Sequence, residues 1–420
     1  MAHTYYTPQV QRRLSGRLED IMPANLGGCN FAAFGGTLEQ RIRTAVQAAS
    51  RYCGRCGIVV LSNASVTGED PLESALSQLA GKRPGSSPVT VRTLPNRSYD
   101  PLYGLDEDSI VQLLLARSSD QSLTAGLLAY LKIIRHNFRL NPVPFGDYPF
   151  NLNLLRELTA MPYGVLKERV LNYLPPMLQE EIVPMLNKSD IPSSVFSVVE
   201  RFGTTMKKYL WTQDSFDRHT RISITQAVCD RQIICLRIPN SNADLLSYVE
   251  YELSNLTTMG IPYLLIGSGL KLSVCSELQN RFLSEHRQEN YYTGILSDSI
   301  FDTAETRELQ NNLVSLYDQI MVYQCAGIAQ AEPFSQNLGV YKHRLRLKNR
   351  TTHRKFLQLL PEFGNGFHET MTDERNVRPE ELIHIPDGVL VCGRLCSVPQ
   401  LIKKININGG ANDGILLHGL

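Results

Sequence analysis

Apolar positions along this chain fall into two rhythms, short continuous runs and stripes at helical spacing, and their alternation predicts the elements. Asn30 to Phe34 is a short apolar run closed by Gly35-Gly36. Leu38 to Cys53 follows, with Leu38, Ile42, Ala45, Val46 and Ala49 at helical spacing. Ile58 to Leu61 and Val89 to Val91 are further continuous runs, of the kind buried on both faces of a parallel sheet. Strand, glycine turn, helix, strand is the opening of a βαβ unit.

From about Leu105 to Lys208 the helical period dominates, through Ile110 to Leu115, Leu123 to Ile134, Leu152 to Leu158 and Val165 to Leu174. Proline turns such as Asn141-Pro142-Val143-Pro144 and Pro175-Pro176 separate these stripes. After Trp211 the strand runs return at Gln232 to Ile238, Tyr263 to Ile266, Gln319 to Tyr323 and Gly388 to Cys392, with a helix over Ala243 to Met259. Residues 341–378 read as polar and irregular. The expected fold is therefore α/β, a mostly parallel sheet flanked by helices. Residues 1–104 form its first part, 105–210 an inserted all-helical domain, and 211–420 its second part with a C-terminal hairpin and tail.

Composition narrows the classes. With 43% hydrophobic and 20% charged residues over 420 positions, the chain can bury a large core. Its net charge of +1 supplies no overall field towards nucleic acid or an anionic membrane, so any such binding rests on a local patch. No apolar run approaches the roughly 20 residues of a membrane span, and the first 20 residues hold no signal-peptide core. A cytoplasmic location follows as the expectation. Nine scattered cysteines fit a reducing compartment, where they serve as small hydrophobes. Cys53-Gly-Arg-Cys56 has redox spacing but precedes a strand instead of following one. No second pair stands at zinc-ribbon spacing, and no metal site is expected.

Gly35-Gly36-Thr37-Leu38-Glu39-Gln40-Arg41-Ile42 stands where a phosphate-binding loop belongs, between a first strand and its helix. A working loop reads G-x-x-x-x-G-K-[ST], and each fixed position has a task. The second glycine, which lets backbone N–H groups wrap the phosphates, is Gln40. The lysine is Arg41, and the hydroxyl that binds Mg²⁺ is Ile42, which has no oxygen to offer. Glu39 places a carboxylate in a cradle meant for anions. Read alone, the motif is equally a plain strand-to-helix glycine turn.

The order of further segments resembles the ATPase core of the type IV secretion coupling proteins, the TraG/TraD family, from about residue 28 to 400. Gly57 to Asn63 stands at the place of a strand that ends in Asp-Pro-Lys-Gly in that family, a motif this chain lacks. Tyr99-Asp100-Pro101-Leu102 is similar to the F-N-P-L segment leading into an all-helical insertion. Phe334 to Gly339 resembles the late loop before the C-terminal hairpin. Arg378 to Leu382 with Ile385 to Gly388 resembles the closing P-E-E-L…L-P-x-G signature. The resemblance implies a RecA-like fold and a second acidic motif on the strand Tyr263 to Ile266, which here ends in Gly267-Ser268. It also places a sensor segment near Leu296 to Phe301. Asp298 and Glu277 are the acids available to stand in for the missing pair, and spacing singles out neither.

Arg344, Arg346, Lys348 and Arg350 recur at every second position and share one face if this segment is a strand. The preferred reading is a solvated or edge-protecting face, because no aromatic residues interleave the cations. A nucleic-acid backbone or an acidic partner surface is the alternative. No G-x-S-x-G elbow and no H-E-x-x-H motif is present.

These readings converge on a catalytically inactive, coupling-protein-like subunit, a scaffold or adaptor in a secretion, conjugation or DNA-transfer assembly. No cofactor is expected, ATP–Mg²⁺ included. The expected partners are proteins of the assembly, with further copies of the chain in a ring as an option. The chain carries no N-terminal membrane helices of the kind usual in the family, which favours an accessory role peripheral to a membrane complex. Two rivals remain, an ATP-driven translocase with displaced catalytic groups and a switch that binds nucleotide without hydrolysing it.

Overall fold

The computed structural model describes residues 10–11, 31–64, 68–81, 91–94, 99, 101–102, 105–115, 120–139, 152–188, 190–207, 223–239, 242–271, 291–317, 319–353, 362–386, 389–394 and 401–406. In chain order the strands are β1 (Val10–Gln11), β2 (Phe31–Phe34), β3 (Gly57–Ser62), β4 (Val91–Leu94), β5 (Ile233–Arg237) and β6 (Tyr263–Ser268). They continue with β7 (Tyr291–Ser297), β8 (Gln319–Val322), β9 (Val340–His353), β10 (Glu362–Arg375), β11 (Val389–Arg394) and β12 (Leu401–Asn406). The helices begin with α1 (Leu38–Tyr52), α2 (Pro71–Gly81), α3 (Glu107–Leu114), α4 (Gln121–Arg139), α5 (Leu152–Ala160), α6 (Tyr163–Arg169) and α7 (Pro176–Leu186). They end with α8 (Ile191–Met206), α9 (Ile224–Cys229), α10 (Ala243–Thr258), α11 (Ile300–Thr303), α12 (Arg307–Leu316), α13 (Ile328–Asn337) and α14 (Pro379–Ile383).

Two compact units account for the described residues, one drawn from 10–11, 31–44 and 294–406, the other from 45–293. In the first, β2 lies between β7 and β8, parallel to both, and the antiparallel strand β11 joins β8 to β12. Phe31 to Phe34 are buried throughout, as a strand covered on both faces requires. Phe34 packs on Phe334 of α13 with ring centroids 5.2 Å apart, in the range where tilted aromatic pairs attract.

In the second unit the parallel order is β6-β3-β5-β4. Every residue of β3 and β5 is buried, so the continuous apolar runs in the sequence are the centre of this sheet. The described residues from 105 to 207 carry only helices, α3 to α8 and a short 3₁₀ turn. Here α5 packs on α8, and α4 touches α5, α7 and α8. Arg156 of α5 binds Glu200 of α8 through both guanidinium arms, at 2.7 and 2.9 Å, which holds the Glu200 carboxyl below its usual range. Cys53 and Cys56 are buried. Burial pushes the Cys56 thiol up to about 11, which fits packing rather than thiolate chemistry.

Two expectations need correction. Residues 340–353 and 362–375 are not irregular, since they form β9 and β10, two 14-residue strands that pair antiparallel with each other and, among the described residues, with no other strand. Phe334 to Asn337 belong to α13, not to a loop. Pro333 lies within this helix, whose apolar contacts, Phe334 foremost, outweigh the missing N–H bond. Helix α13 also anchors the ribbon. Arg375 reaches both oxygens of Glu332, at 2.6 and 2.8 Å, while Ser335 Oγ donates to Val377 O at 2.6 Å. Of the late signature, Asp387 and Gly388 lie outside the described residues, as do Asp100 and Glu277.

Candidate functional site

The glycine turn after β2 is built by close packing on the exit of β8. Gly35 and Gly36 have φ of +76° and +62°, a region that glycine enters without steric cost. A Cβ on Gly35 would stand 2.8 Å from Gln324 O, and one on Gly36 would stand 2.6 Å from Tyr323 Cβ. Both glycines are therefore required by the turn itself.

The N–H groups of Gly35, Gly36, Thr37 and Gln40 are engaged inside the protein. Gly35 N donates to the carbonyls of Ser297 and Asp298, and Gly36 N donates to Gln324 O at 2.8 Å. Thr37 N donates to Gln40 Oε1 at 2.8 Å, and Gln40 N returns a bond to Thr37 Oγ1 at 3.3 Å. This reciprocal pair is a capping box, in which side chains satisfy two of the donors at the start of the helix. A phosphate cradle depends on the same class of N–H groups being open to the ligand.

Arg41 sits under the loop. It is 9% exposed, and its Nη1 donates to Gly35 O at 2.8 Å, Gly36 O at 3.0 Å and Asp298 Oδ1 at 3.1 Å. The side chain at the lysine position thus ties together the loop and the end of β7. Ile42, at the place of the Mg²⁺ hydroxyl, is a core residue with 1% exposure. Glu39 does not enter the cradle; its carboxylate binds Arg43 one turn along the helix at 2.7 Å. Behind the helix, the Tyr323 hydroxyl donates to Gln40 O at 3.0 Å and shares a short hydrogen bond with Thr44 Oγ1. Burial pushes its phenol up to about 12.

Among the expected site residues, Gly35, Gly36, Thr37, Gln40 and Arg41 are gathered in this loop, joined by Asp298, Tyr323 and Gln324. The Thr-x-x-Gln spacing of a capping box was the sequence signal for the Thr37–Gln40 pair. Nothing in the sequence links Tyr323 or Asp298 to Arg41. Gly267 and Ser268 belong to the second unit, where β6 ends beside β3 and Asn63 N donates to Ser268 O at 2.9 Å. Arg344, Arg346, Lys348 and Arg350 lie on β9 in register with Met371, Glu369, Phe367 and Asn365.

The second unit holds a buried ionic cluster that sequence reasoning missed. Arg237, at the end of β5, binds Glu73 of α2 through Nε at 2.9 Å and Nη2 at 2.6 Å, and Nη1 reaches Gly68 O. Asp70 accepts from Ser62 Oγ at 2.8 Å and from Leu72 N at 2.9 Å. The side chains of Arg237 and Glu73 are under 10% exposed. These groups fasten α2 to the ends of β3 and β5.

No known family profile and no curated protein matches this chain. Solved structures do. The plasmid coupling protein TrwB bound to the ATP analogue ADPNP matches with a TM-score of 0.51 at 12% identity, over 95% of this chain and 90% of that one. TrwB bound to ADP and Mg²⁺ matches with a TM-score of 0.51 at 13% identity over the same shares. VirB4 of Thermoanaerobacter pseudethanolicus reaches only 0.38 at 10% identity. At these identities the likeness is one of fold. The chain has the α/β core fold seen in TrwB.

Proposed function

We propose that this chain is a coupling-protein-like subunit that does not hydrolyse nucleotide and serves as a scaffold or adaptor in a secretion, conjugation or DNA-transfer assembly. The observation that carries the reading is the position of Arg41, tied to the carbonyls of Gly35 and Gly36 and to Asp298. Phosphoryl transfer from a nucleotide rests on phosphate positioning, a metal and an oriented water acting together. At the first of these, the N–H groups of Gly35, Gly36, Thr37 and Gln40 are bound within the protein; at the second, Ile42 brings no oxygen. The acid nearest to a displaced catalytic role, Asp298, is engaged with Arg41.

On this reading the fold has kept its architecture as a platform for protein partners, further copies of the chain among them, with the helical stretch 105–210 as an inserted domain. No helix among the described residues is long and apolar enough to cross a membrane, which is compatible with a subunit held at a membrane complex by its partners. The test is phosphate release from ATP–Mg²⁺, with and without added DNA. Release at the background rate in both conditions is expected. DNA-stimulated release abolished by Asp298→Asn would overturn the proposal in favour of a translocase with displaced groups.

A further inference from the structure

Two helix breaks in the second unit border one cavity. Helix α5 ends at Ala160 and α6 begins at Tyr163, while α7 ends at Leu186 and α8 begins at Ile191. Pro162 is the N-cap residue of α6 and Pro192 stands in the first turn of α8, places where a missing N–H costs no helical bond. Packing of α5 on α8 keeps the two breaks together. The cavity between them has a volume of about 430 Å³ and opens to solvent, a size typical of small-molecule sites. Its apolar wall includes Met161, Tyr163, Leu186 and Phe196. The polar lining divides in two. Thr159 Oγ1 donates to Leu155 O at 2.8 Å and Ser193 Oγ donates to Asp190 O at 3.0 Å, so both hydroxyl protons are committed to the helices. The Lys188 ammonium, the Asn187 side-chain amide and the Tyr163 phenol bind no other described residue. Among the described residues Lys188 is the sole charged side chain in the lining, and no carboxylate accompanies it.

We propose that this cavity binds a small amphipathic monocarboxylate, its aromatic or aliphatic body on the apolar wall and its carboxylate at Lys188. Three observations select that chemistry. The rings of Tyr163 and Phe196 with the Met161 thioether offer area to an apolar body. One positive charge with no acid in the lining favours a single negative charge and disfavours a cation. Lys188, Asn187 and Tyr163 are uncommitted donors, and an ionised carboxylate accepts and never donates. A polyphosphate would meet one cation alone, so the cavity is not a nucleotide site. The ligand touches the α5–α6 and α7–α8 connections at once and fixes these helix ends against one another. The proposal does not depend on the Gly35–Ile42 loop, which belongs to the first unit, or on whether that loop takes nucleotide.

The test is nuclear magnetic resonance of the full chain labelled with carbon-13 at the methionine methyls, where Met161 reports from the cavity wall and Met161→Leu assigns its signal. The probes are phenylacetate and octanoate, with phenylacetamide as the neutral and phenethylamine as the cationic counterpart, each titrated to millimolar concentration. A saturable shift of the Met161 signal is expected with at least one of the two acids. The amide should bind about fivefold more weakly than phenylacetate, the margin of one solvent-facing ion pair, and the amine more weakly again. Lys188→Gln should lower phenylacetate to the affinity of the amide and leave the amide unchanged, while Lys188→Arg keeps the preference. Phe196→Ala should weaken acid and amide alike, about fivefold. Lys188 is exposed, so its glutamine variant keeps the fold and carries the test if Phe196→Ala lowers the melting temperature too far. No shift with either acid overturns the proposal. So does an amine that binds as tightly as the acid, and so does an acid-to-amide ratio untouched by Lys188→Gln, which would leave only an apolar cleft.

Discussion

Replacing Arg41 by alanine removes a buried guanidinium whose contacts are all to the protein itself. Its bond to Asp298 is worth under about 1 kcal/mol, because that carboxylate is 73% exposed and surface ion pairs are weak. The bonds to Gly35 O and Gly36 O are charge-assisted and shared by one nitrogen, so roughly 2 kcal/mol covers the pair and the carbonyl left unmet. Loss of the buried aliphatic stem adds about 1 kcal/mol. The expected destabilisation is about 3 kcal/mol, or roughly 3 °C in melting temperature for a chain of this length unfolding as one. Urea unfolding followed by far-UV circular dichroism reads the stability, and hydrogen exchange at the 35–42 amides reads the loop locally. Faster exchange there is expected, with Arg41→Lys about halfway between alanine and the parent. A ligand-facing arginine behaves differently, since its removal leaves the unliganded protein within about 0.5 kcal/mol. Unchanged stability and exchange in Arg41→Ala, together with weakened ATP binding, would refute the anchoring role.

The Arg237–Glu73 pair should be the costliest polar interaction to break. Glu73→Ala removes the carboxylate that both arms of the buried Arg237 guanidinium bind and is expected to lower stability by roughly 3 kcal/mol in urea titrations. Glu332 beside Arg375 gives a pH signature. Its hydrogen bonds from Arg375 and Gln336 lower its pKa from the ordinary 4.5 to about 2 in the folded protein. A depressed folded value means the stabilisation is full above the unfolded value and is lost as pH falls from about 4.5 towards 2. Partial exposure of both side chains limits the contribution to about 1 kcal/mol or less. Glu332→Gln should remove that part of the acid-limb slope, and its stability should approach that of the parent only as pH falls to about 2.

The parts of the fold visible in the sequence are those fixed by local burial. Ile58 to Leu61, Gln232 to Ile238 and Tyr263 to Ile266 announced themselves as runs with no polar alternation, because strands covered on both faces need none. Leu38 to Cys53 was visible for the same reason at helical period. Strand β7 was hidden, since Tyr291 to Ser297 opens with tyrosines and a threonine and offers no such run. The alternating cations from Arg344 to Arg350 and the expected C-terminal hairpin pointed to a strand here, but the pairing of β9 with β10 over 14 residues is a matter of register, which no one-dimensional spacing reveals. At the glycine loop, the departures from a working motif were legible, but their consequence was not. The sequence says that lysine, glycine and hydroxyl are replaced. Only the structure shows that Arg41 turns back onto its own loop and that Thr37 and Gln40 cap each other.

Binding of ATP–Mg²⁺ to the full chain tests the closed loop most directly, measured by isothermal titration calorimetry and by melting temperature at millimolar nucleotide. A nucleotide present at 100 times its Kd would add about 2.7 kcal/mol of stability, roughly 3 °C here. The self-satisfied loop predicts no saturable heat and no shift. A saturable isotherm with a matching rise in melting temperature, both abolished by Arg41→Ala, would contradict it.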